Sequence, residues 1–350
     1  MSKSIFIDGQ QFEFNDGQTV LQVARANGLY IPTLCYHERT GPASACRVCV
    51  VEVEGMRNLQ TSCSLAAADG MSIQTTSPRV LDARKAVVNL LLANGNHDCL
   101  SCEVNGDCEL QDAAYHLGIE SPAFLVETYE ARDDSAAFIM RDPNKCIQCG
   151  RCIIGCNDLV VNNVLDFGYR GSDMKVICDA DLPMGQSSCV QCGECVQLCP
   201  VGVFVEKKSV GKARRWETHT VRTTCGYCGV GCQLELHMKG DQIIRVTGVE
   251  DAQPNRGQLC VKGRYGYDYI YSKDRLTTPL IREGETFREA SWDEALDLVA
   301  SKFKQIIAES GPDALAGLSS ARTINEDSYY MQRLFREVLG TNNIDHCARV

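Results

Sequence analysis

The sequence has 350 residues, enough for two or more domains, and its 44% hydrophobic and 23% charged residues are ordinary for a globular protein. The net charge of −10 argues against nucleic acid as a partner. The first residues contain no apolar signal core, and no apolar run is long enough to span a bilayer, so we expect neither secretion nor a membrane span.

Cysteine is the anomaly of this composition. The 21 Cys residues stand in tight groups, which favours metal ligation over a disulfide framework. Thiolates that must stay reduced imply a reducing compartment, so we expect a cytoplasmic protein.

Residues 1–78 are predicted to form a small β-rich domain. Apolar residues alternate on both sides of a turn at Gly9, which is typical of a hairpin, and a short helix is predicted over 19–27. Four cysteines then follow as one Cys, a close pair and a distant fourth. This is the order found in [2Fe–2S] ferredoxins, with a zinc ribbon as the alternative. The predicted ligands of the [2Fe–2S] cluster are Cys35, Cys46, Cys49 and Cys63.

The stretch that begins at Cys46, CRVCVVEV, resembles the N-terminal domain of the large peripheral subunit of complex I. It also resembles the matching domains of [FeFe] hydrogenases and of NAD(P)-linked formate dehydrogenases. The resemblance implies a β-grasp [2Fe–2S] ferredoxin domain in this region.

Residues 79–135 are predicted to begin with a helix that Ser77 caps and Gly95 ends. Three Cys and one His follow, and this set resembles the [4Fe–4S] site of the same families, which is held by one His and three Cys. The families place the His four residues before the first Cys, where this chain has Gly95. The candidate ligands here are His97, Cys99, Cys102 and Cys108, and the alternative is that His97 is a surface turn residue.

Residues 136–212 contain two runs with the spacing C-x2-C-x2-C-x3-C. In such runs three consecutive thiolates hold one iron–sulfur cube and the fourth reaches the other cube. Zinc sites use two close pairs with a wider gap instead. We therefore predict two [4Fe–4S] clusters, one on Cys146, Cys149, Cys152 and Cys199 and one on Cys189, Cys192, Cys195 and Cys156. A hairpin is predicted between the two runs, where Cys178 is expected to be a buried structural thiol.

Residues 216–272 contain a further set of cysteines with a spacing that is not that of a ferredoxin. A [4Fe–4S] cluster is predicted on Cys225, Cys228, Cys232 and Cys260. This stretch, with Lys262 after the last Cys, resembles the opening domain of molybdenum- or tungsten-bis(pyranopterin guanine dinucleotide) oxidoreductases. The resemblance implies that Lys262 relays electrons between cluster and pterin, and the alternative is an ordinary surface Lys. The basic run over 207–215 is expected to be a solvated linker.

Residues 273–350 resemble the start of the α/β molybdopterin oxidoreductase domain. A capping box at Ser291 begins a helix, and a buried strand over 315–319 is followed by a helix from Asn325. A strand-to-helix turn rich in small residues suits a nucleotide phosphate. The resemblance implies pterin contacts by Ser319, Ser320, Asn325 and Glu326, and the alternative is an ordinary strand-to-helix connection.

The last residues, DHCARV, resemble the segment that precedes the active-site Cys or selenocysteine of formate dehydrogenases. The resemblance implies that this metal ligand follows Val350 directly, so no catalytic residue is expected within 1–350. Our hypothesis is that the sequence stops at a selenocysteine codon. Cys347 is not expected to be the ligand.

The whole pattern predicts a multidomain α+β chain with one [2Fe–2S] and four [4Fe–4S] clusters. Its domains are expected over 1–78, 79–135, 136–212, 216–272 and 273–350. The resemblance implies the catalytic subunit of a formate dehydrogenase that uses molybdenum or tungsten. It also implies a redox partner, which is either a diaphorase-like subunit that binds flavin and NAD(P), or a ferredoxin, or hydrogenase subunits. The alternatives are a complex I-like large subunit, an [FeFe] hydrogenase and a non-catalytic electron carrier.

Overall fold

The computed structural model describes residues 3–124 and 130–348. The chain divides into two compact units, Met1–Thr220 with His237–Arg245, and Val221–Leu236 with Val246–Val350. None of the helices in the described ranges is long and apolar enough to cross a membrane.

The first unit begins with a five-stranded sheet in the order β2-β1-β7-β5-β6. The strands and the helix of this region are β1 (Lys3–Ile7), β2 (Gln10–Phe14), α1 (Val20–Ala26), β3 (Tyr36–His37), β4 (Gly41–Pro42), β5 (Val50–Val53), β6 (Gln60–Thr61) and β7 (Ser72–Gln74). β1 and β2 form the predicted hairpin with Ile5 opposite Phe12, while β1 runs parallel to β7.

The alternating apolar residues of β1 are buried because α1 covers this face of the sheet. Ile5, Ile7 and Leu21 are at most 1% exposed and belong to one core cluster. Thr19 and Gln22 form a reciprocal capping box at the start of α1, in which the backbone N–H of Gln22 donates to Thr19 Oγ1 at 3.3 Å. The core of this domain thus lies between α1 and the sheet.

The predicted helix after Ser77 is α2 (Pro78–Leu92), and it is followed by α3 (Glu109–His116). Ser77 caps α2 by accepting from the Val80 N–H. The buried face of α2 contains Val80 and Val88 but also Arg84, whose guanidinium donates to the Val50 carbonyl at 2.8 and 3.2 Å. The apolar pattern did not predict this buried cation.

The next elements are β8 (Ile139–Arg141), α4 (Arg151–Ile154), β9 (Leu165–Gly168), β10 (Lys175–Cys178), α5 (Glu194–Leu198) and β11 (Phe204–Glu206). β9 and β10 form an antiparallel hairpin between the two cysteine runs, as the apolar alternation predicted. β8 pairs with β11 and brings the beginning and the end of this segment together.

A three-stranded sheet follows in the order β12-β13-β14, formed by β12 (His219–Thr224), β13 (Gln233–Lys239) and β14 (Gln242–Gly248). The last two strands flank a turn at Gly240. β12 was not predicted, because all six of its residues are exposed and no apolar alternation marks it.

The remaining elements are α6 (Val261–Tyr265), β15 (Leu280–Glu283), β16 (Thr286–Glu289), α7 (Trp292–Ser310), β17 (Gly317–Ser319), α8 (Asn325–Arg333) and β18 (Ile344–His346). β17 runs parallel to β18. Ser291 caps α7 as expected, accepting from the Glu294 N–H at 3.2 Å.

The apolar face of α7 is buried only in part. Phe303 and Ile306 pack against the core of Leu315, Phe335 and Leu339, whereas Leu296 and Val299 are exposed. The strand expected to be buried is likewise covered incompletely, since Leu318 is 85% exposed. β17 pairs with β18 in a two-stranded sheet, and Leu318 lies on a face of this sheet that is open to solvent.

Leu21 and Leu90 give a matched pair of substitutions for the N-terminal core. Leu21→Ala removes a fully buried side chain and should cost about 2–5 kcal/mol, whereas Leu90→Ala at a 60% exposed site should have little effect. Amide hydrogen exchange in β1 and β5 should accelerate in the first variant alone. Equal exchange in both variants would contradict the packing of α1 on the sheet.

Candidate metal centres

Four thiols converge beside α1 in the N-terminal domain. Cys35, Cys46, Cys49 and Cys63 are all buried, and the Cys46 N–H lies 3.5 Å from Cys35 Sγ. A hydrogen bond between the thiols of Cys35 and Cys46 lowers the pKa of Cys35 to about 5 and raises that of Cys46. A hydrogen bond between the other two thiols likewise lowers the pKa of Cys49 and raises that of Cys63. The set therefore combines burial with mutual contact, as the ligands of one cluster require.

A cavity of about 290 Å³ of empty space lies at the start of α3. Its lining includes His97, Cys99, Cys102 and Cys108, which are the four residues grouped by sequence. His97 Nε2 is buried and has no hydrogen-bond partner among the described residues. Burial lowers the pKa of His97 and so favours the neutral imidazole, whose unprotonated nitrogen can bind a metal. An orphaned imidazole nitrogen among three thiols fits a metal ligand better than it fits a surface turn residue.

Gly95 explains why a histidine does not occupy the position that the resemblance implies. A Cβ added to Gly95 would lie 1.9 Å from the Asn144 carbonyl oxygen, so no larger residue fits there. The same Cβ position is 3.5 Å from His97 Nε2. The His97 side chain therefore reaches, from two residues further along, the region that a side chain at 95 would have entered.

The two C-x2-C-x2-C-x3-C runs exchange their fourth cysteines. One cavity is lined by Cys146, Cys149 and Cys152 of the first run together with Cys199 of the second. Another cavity is lined by the thiols of the second run together with one from the first: Cys189, Cys192, Cys195 and Cys156. These two groups are the sets that the spacing predicted.

Burial makes the thiols of both cavities reluctant to ionise without a metal. It raises the pKa of Cys146 to about 11 and those of Cys152 and Cys195 well above the ordinary value. Cationic metal centres reverse this cost, because they favour the thiolate form. The donor chemistry therefore fits iron–sulfur clusters. No group of three or more His, Cys, Asp or Glu residues arranged to hold a single metal ion occurs within 3–124 and 130–348.

The second unit contains the fifth thiol set. Cys225 is buried, and its N–H donates to the Cys232 carbonyl at 2.8 Å. Burial raises the pKa of Cys232, and the nearby Cys225, Cys228 and Cys260 raise it further. Gly263 lies beside this set, since a Cβ added to it would be in ordinary van der Waals contact with Cys225 Sγ, at 3.5 Å.

The predicted pterin contacts lie around the beginning of α8. Asn325 Nδ2 donates to the Gly229 carbonyl at 2.8 Å, which ties α8 to the loop of Cys228. Ser320 Oγ lies 3.5 Å from Cys347 Sγ, Ser319 is half-buried at the end of β17, and Glu326 is exposed. Lys262 is exposed in the first turn of α6, directly after Cys260 and Val261.

The basic run over 207–215 is not the solvated linker that was expected. Arg214 donates to the Cys102 carbonyl, and Arg215 pairs with Asp107, so both side chains hold the loop between Cys99 and Cys108. Asp133 also fastens a loop, since it accepts from the Met184 N–H at 2.8 Å and pairs with buried Arg141 at 3.8 Å. Charge patterns alone did not distinguish solvated ions from ions that fasten loops.

Cys178 is fully buried in β10 and lines neither of the two neighbouring cavities. Arg141 Nη1 donates to its sulfur at 3.7 Å and to the Val176 carbonyl at 3.1 Å. Its position agrees with the expected structural thiol.

Five family models match successive parts of the chain. They are a 2Fe-2S iron-sulfur cluster binding domain (3–78), the NADH-ubiquinone oxidoreductase-G iron-sulfur binding region (84–123), a 4Fe-4S dicluster domain (145–203), the molybdopterin oxidoreductase Fe4S4 domain (218–272) and molybdopterin oxidoreductase (275–350). The chain belongs to the molybdopterin oxidoreductases that carry iron–sulfur domains. The predicted fold class and domain order are confirmed.

Curated relatives of this molybdopterin oxidoreductase chain include "Probable oxidoreductase YjgC" of Bacillus subtilis (strain 168), which is 37% identical over 99% of the chain. A protein of Staphylococcus aureus (strain USA300) named "Putative formate dehydrogenase" is 33% identical over 99% of the chain. In both cases the chain covers 39% of the relative. It therefore spans about two fifths of the length of these relatives.

A solved structure of an NAD+-reducing [NiFe]-hydrogenase is similar to part of this molybdopterin oxidoreductase chain. The match has a TM-score of 0.58 and 33% sequence identity, and it covers 61% of this chain and 92% of that one. The likeness supports a shared fold over that part of the chain.

The exchange of fourth cysteines can be tested with serine variants. Cys156→Ser should lose the iron held with Cys192, although Cys156 belongs to the other run, because it lines the second cavity. Its electron paramagnetic resonance spectrum after reduction should therefore match that of Cys192→Ser and differ from that of Cys149→Ser. Cys178→Ser is the control, expected to keep the iron content of the native chain. A Cys156→Ser spectrum that matched Cys149→Ser would contradict the exchange.

Proposed function

We propose that this chain is the iron–sulfur electron-transfer portion of a formate dehydrogenase catalytic subunit. In this proposal formate is oxidised to CO2, a proton and two electrons, and the electrons leave through the chain. The main support for this proposal is a hydrogen bond from Asn325, in the molybdopterin segment, to the loop between Cys225 and Cys232. This contact connects the proposed pterin-binding residues to the fifth thiol set. The names of the curated Staphylococcus relatives supply the substrate.

The proposed ligands are the five sets described above, for one [2Fe–2S] and four [4Fe–4S] clusters. Iron–sulfur clusters supply one-electron transfer at potentials that protein charge and hydrogen bonds adjust. The chain's own residues hold the thiolates at fixed positions and exclude water from them, since Cys149, Cys152 and Cys195 are buried. A molybdenum or tungsten bis(pyranopterin guanine dinucleotide) would meet Ser319, Ser320, Asn325 and Glu326 in this proposal.

The redox partner in this proposal is a subunit that binds flavin and NAD(P), or alternatively a ferredoxin or hydrogenase subunit. The similarity to a structure named as an NAD+-reducing hydrogenase favours the first. A complex I-like or hydrogenase-linked carrier is the rival function, and the match of residues 84–123 to a region named for NADH-ubiquinone oxidoreductase favours it. The matches over 218–272 and 275–350 to molybdopterin oxidoreductases favour the dehydrogenase.

Formate-dependent reduction of a viologen dye by the native assembly that contains this chain tests the function. We expect dye reduction together with molybdenum or tungsten in stoichiometric amount. Iron without either metal, and no reduction by formate, would instead support the carrier.

Lys262 offers a test of the proposed electron relay. Lys262→Ala should lower formate-dependent dye reduction by about tenfold or more, equivalent to about 1.4 kcal/mol of barrier, while the iron content stays unchanged. Lys262→Arg should retain more activity than Lys262→Ala, because it keeps the charge. Lys273→Ala, a control at another exposed lysine, should leave the rate unchanged. If both alanine variants behave alike, Lys262 is an ordinary surface residue.

The proposed role of His97 as a cluster ligand can be tested by replacing its imidazole with a methyl group or a thiol. His97→Ala should release iron from the cavity of Cys99, Cys102 and Cys108, because one corner loses its donor. His97→Cys should restore the iron content with an altered paramagnetic spectrum, since thiolate replaces imidazole. His116→Ala, at an exposed histidine, should resemble the native chain. Full iron content and an unchanged spectrum in His97→Ala would show that His97 is not a ligand.

A further inference from the structure

One buried arginine links three of the thiol sets. Arg151 lies between Cys149 and Cys152, and its side chain is 2% exposed. Its Nη1 and Nη2 donate to separate oxygens of the Glu109 carboxylate, both at 2.6 Å. Nη2 also donates to the Tyr36 carbonyl at 2.6 Å. The planar guanidinium thus holds two remote segments at once, in a geometry that an ammonium group cannot reproduce.

Each partner of Arg151 directly follows a thiol of a different set. Tyr36 follows Cys35, and Glu109 follows Cys108. The Glu109 N–H also donates to the Pro200 carbonyl at 2.9 Å, and Pro200 follows Cys199. The loop of Cys149, the loop of Cys35 and the beginning of α3 are therefore fastened to one another at Arg151.

The second cysteine run shows that the loop itself does not demand an arginine at this place. Glu194 occupies the corresponding position between Cys192 and Cys195, and it is also buried. Both loops have left-handed backbone at the same points, with φ of 53° and 77° at Gln148 and Gly150 and 51° and 76° at Gln191 and Gly193. Two loops of one backbone shape thus carry opposite charges at one position, and Glu194 pairs with Arg39 at 2.6 Å.

The carboxylate that compensates the charge of Arg151 is more exposed to solvent than the guanidinium itself. The Glu109 side chain is 45% exposed, so solvent screens its carboxylate, while the guanidinium is buried beside the thiols. The guanidinium belongs to the loop of Cys149 and Cys152, and its Nη2 is bonded to the carbonyl of Tyr36, the residue after Cys35. Its positive charge therefore lies beside both the Cys146 set and the Cys35 set.

We propose that Arg151 is a positioning residue that fixes the relative placement of three cluster-binding segments and raises the reduction potentials of the clusters on the Cys35 and Cys146 sets. A buried positive charge stabilises the reduced, more negative state of a cluster. The inference rests on the proposed ligand sets. In the other loop Glu194 and its partner Arg39 are both buried, so their charges offset each other, whereas the charge of Arg151 faces a half-exposed carboxylate. The two [4Fe–4S] clusters of the ferredoxin domain therefore acquire different potentials although their ligands are alike.

Redox titration followed by electron paramagnetic resonance tests the proposal in the complete chain carrying its clusters. Arg151→Gln should lower the midpoint potentials of the clusters on the Cys35 and Cys146 sets. The expected size is up to about a tenfold change in the oxidised-to-reduced ratio, or ~59 mV for one electron. Arg151→Lys keeps the charge but not the fork, so its potentials should stay nearer to the native values. The cluster on Cys225, Cys228, Cys232 and Cys260 provides the internal reference.

Glu109→Gln separates charge from structural damage. It removes the compensating carboxylate and keeps the buried cation, so both potentials should rise. Arg79→Gln removes the same charge at a half-exposed site and should shift neither potential. If Arg151→Gln does not retain its clusters, Glu109→Gln provides the test by itself: a rise of both potentials supports the role of Arg151, and a fall contradicts it.

Shifts of the same sign in Arg151→Gln and Glu109→Gln, or no shift in either, would overturn the role of Arg151. Failure of the proposed cluster assignment looks different, because the native chain would then lack the [2Fe–2S] and [4Fe–4S] signals before any substitution is made.

Discussion

Burial of unpaired thiols is the constraint on which the rest of this chain depends. A thiol within protein resists ionisation, and the pKa values of Cys146, Cys152 and Cys195 are raised for that reason. As thiolates, these groups are stable inside a folded chain when metal centres offset their negative charge. The surrounding structure is accordingly built of short helices, two-residue strands and left-handed turns that place sulfur atoms, with few long regular elements. Cluster binding and folding are coupled in a domain of this kind.

The loops that hold the thiols are fastened by buried or half-buried ions. Arg84 bonds to the Val50 carbonyl next to Cys49, Arg214 to the Cys102 carbonyl, and Arg151 to the segments after Cys35 and Cys108. A guanidinium suits this task because it presents several donors in one plane to carbonyl and carboxylate oxygens of distant segments. For Arg151 we propose that the same side chain also adjusts the potentials of the clusters beside it.

In our proposal for His97, a ligand position shifts along the chain while the cavity is kept. The close approach of Gly95 to the Asn144 carbonyl leaves no room for a side chain at 95. The imidazole two residues later is buried in the cavity with an unpaired Nε2. A comparison of cysteine and histidine spacings shows only that position 95 has no histidine. We propose His97 as the replacement, because a metal centre requires a donor atom at one point in space and not at one position in the sequence.

Cysteine spacing by itself predicted the two thiol sets of the ferredoxin segment, including the exchange of Cys156 and Cys199, because three ligands within seven residues are constrained by covalent geometry. Apolar alternation determined the β1–β2 hairpin, and Ser77 and Ser291 determined where α2 and α7 begin. Only the tertiary structure decided that Arg151, Arg214 and Asp133 are fixed partners of distant segments, since a charged residue has the same sequence signature in solvent and in an interior. It also decided that Leu296 and Leu318 stay exposed, because burial depends on which elements lie opposite, and periodicity carries no information about that.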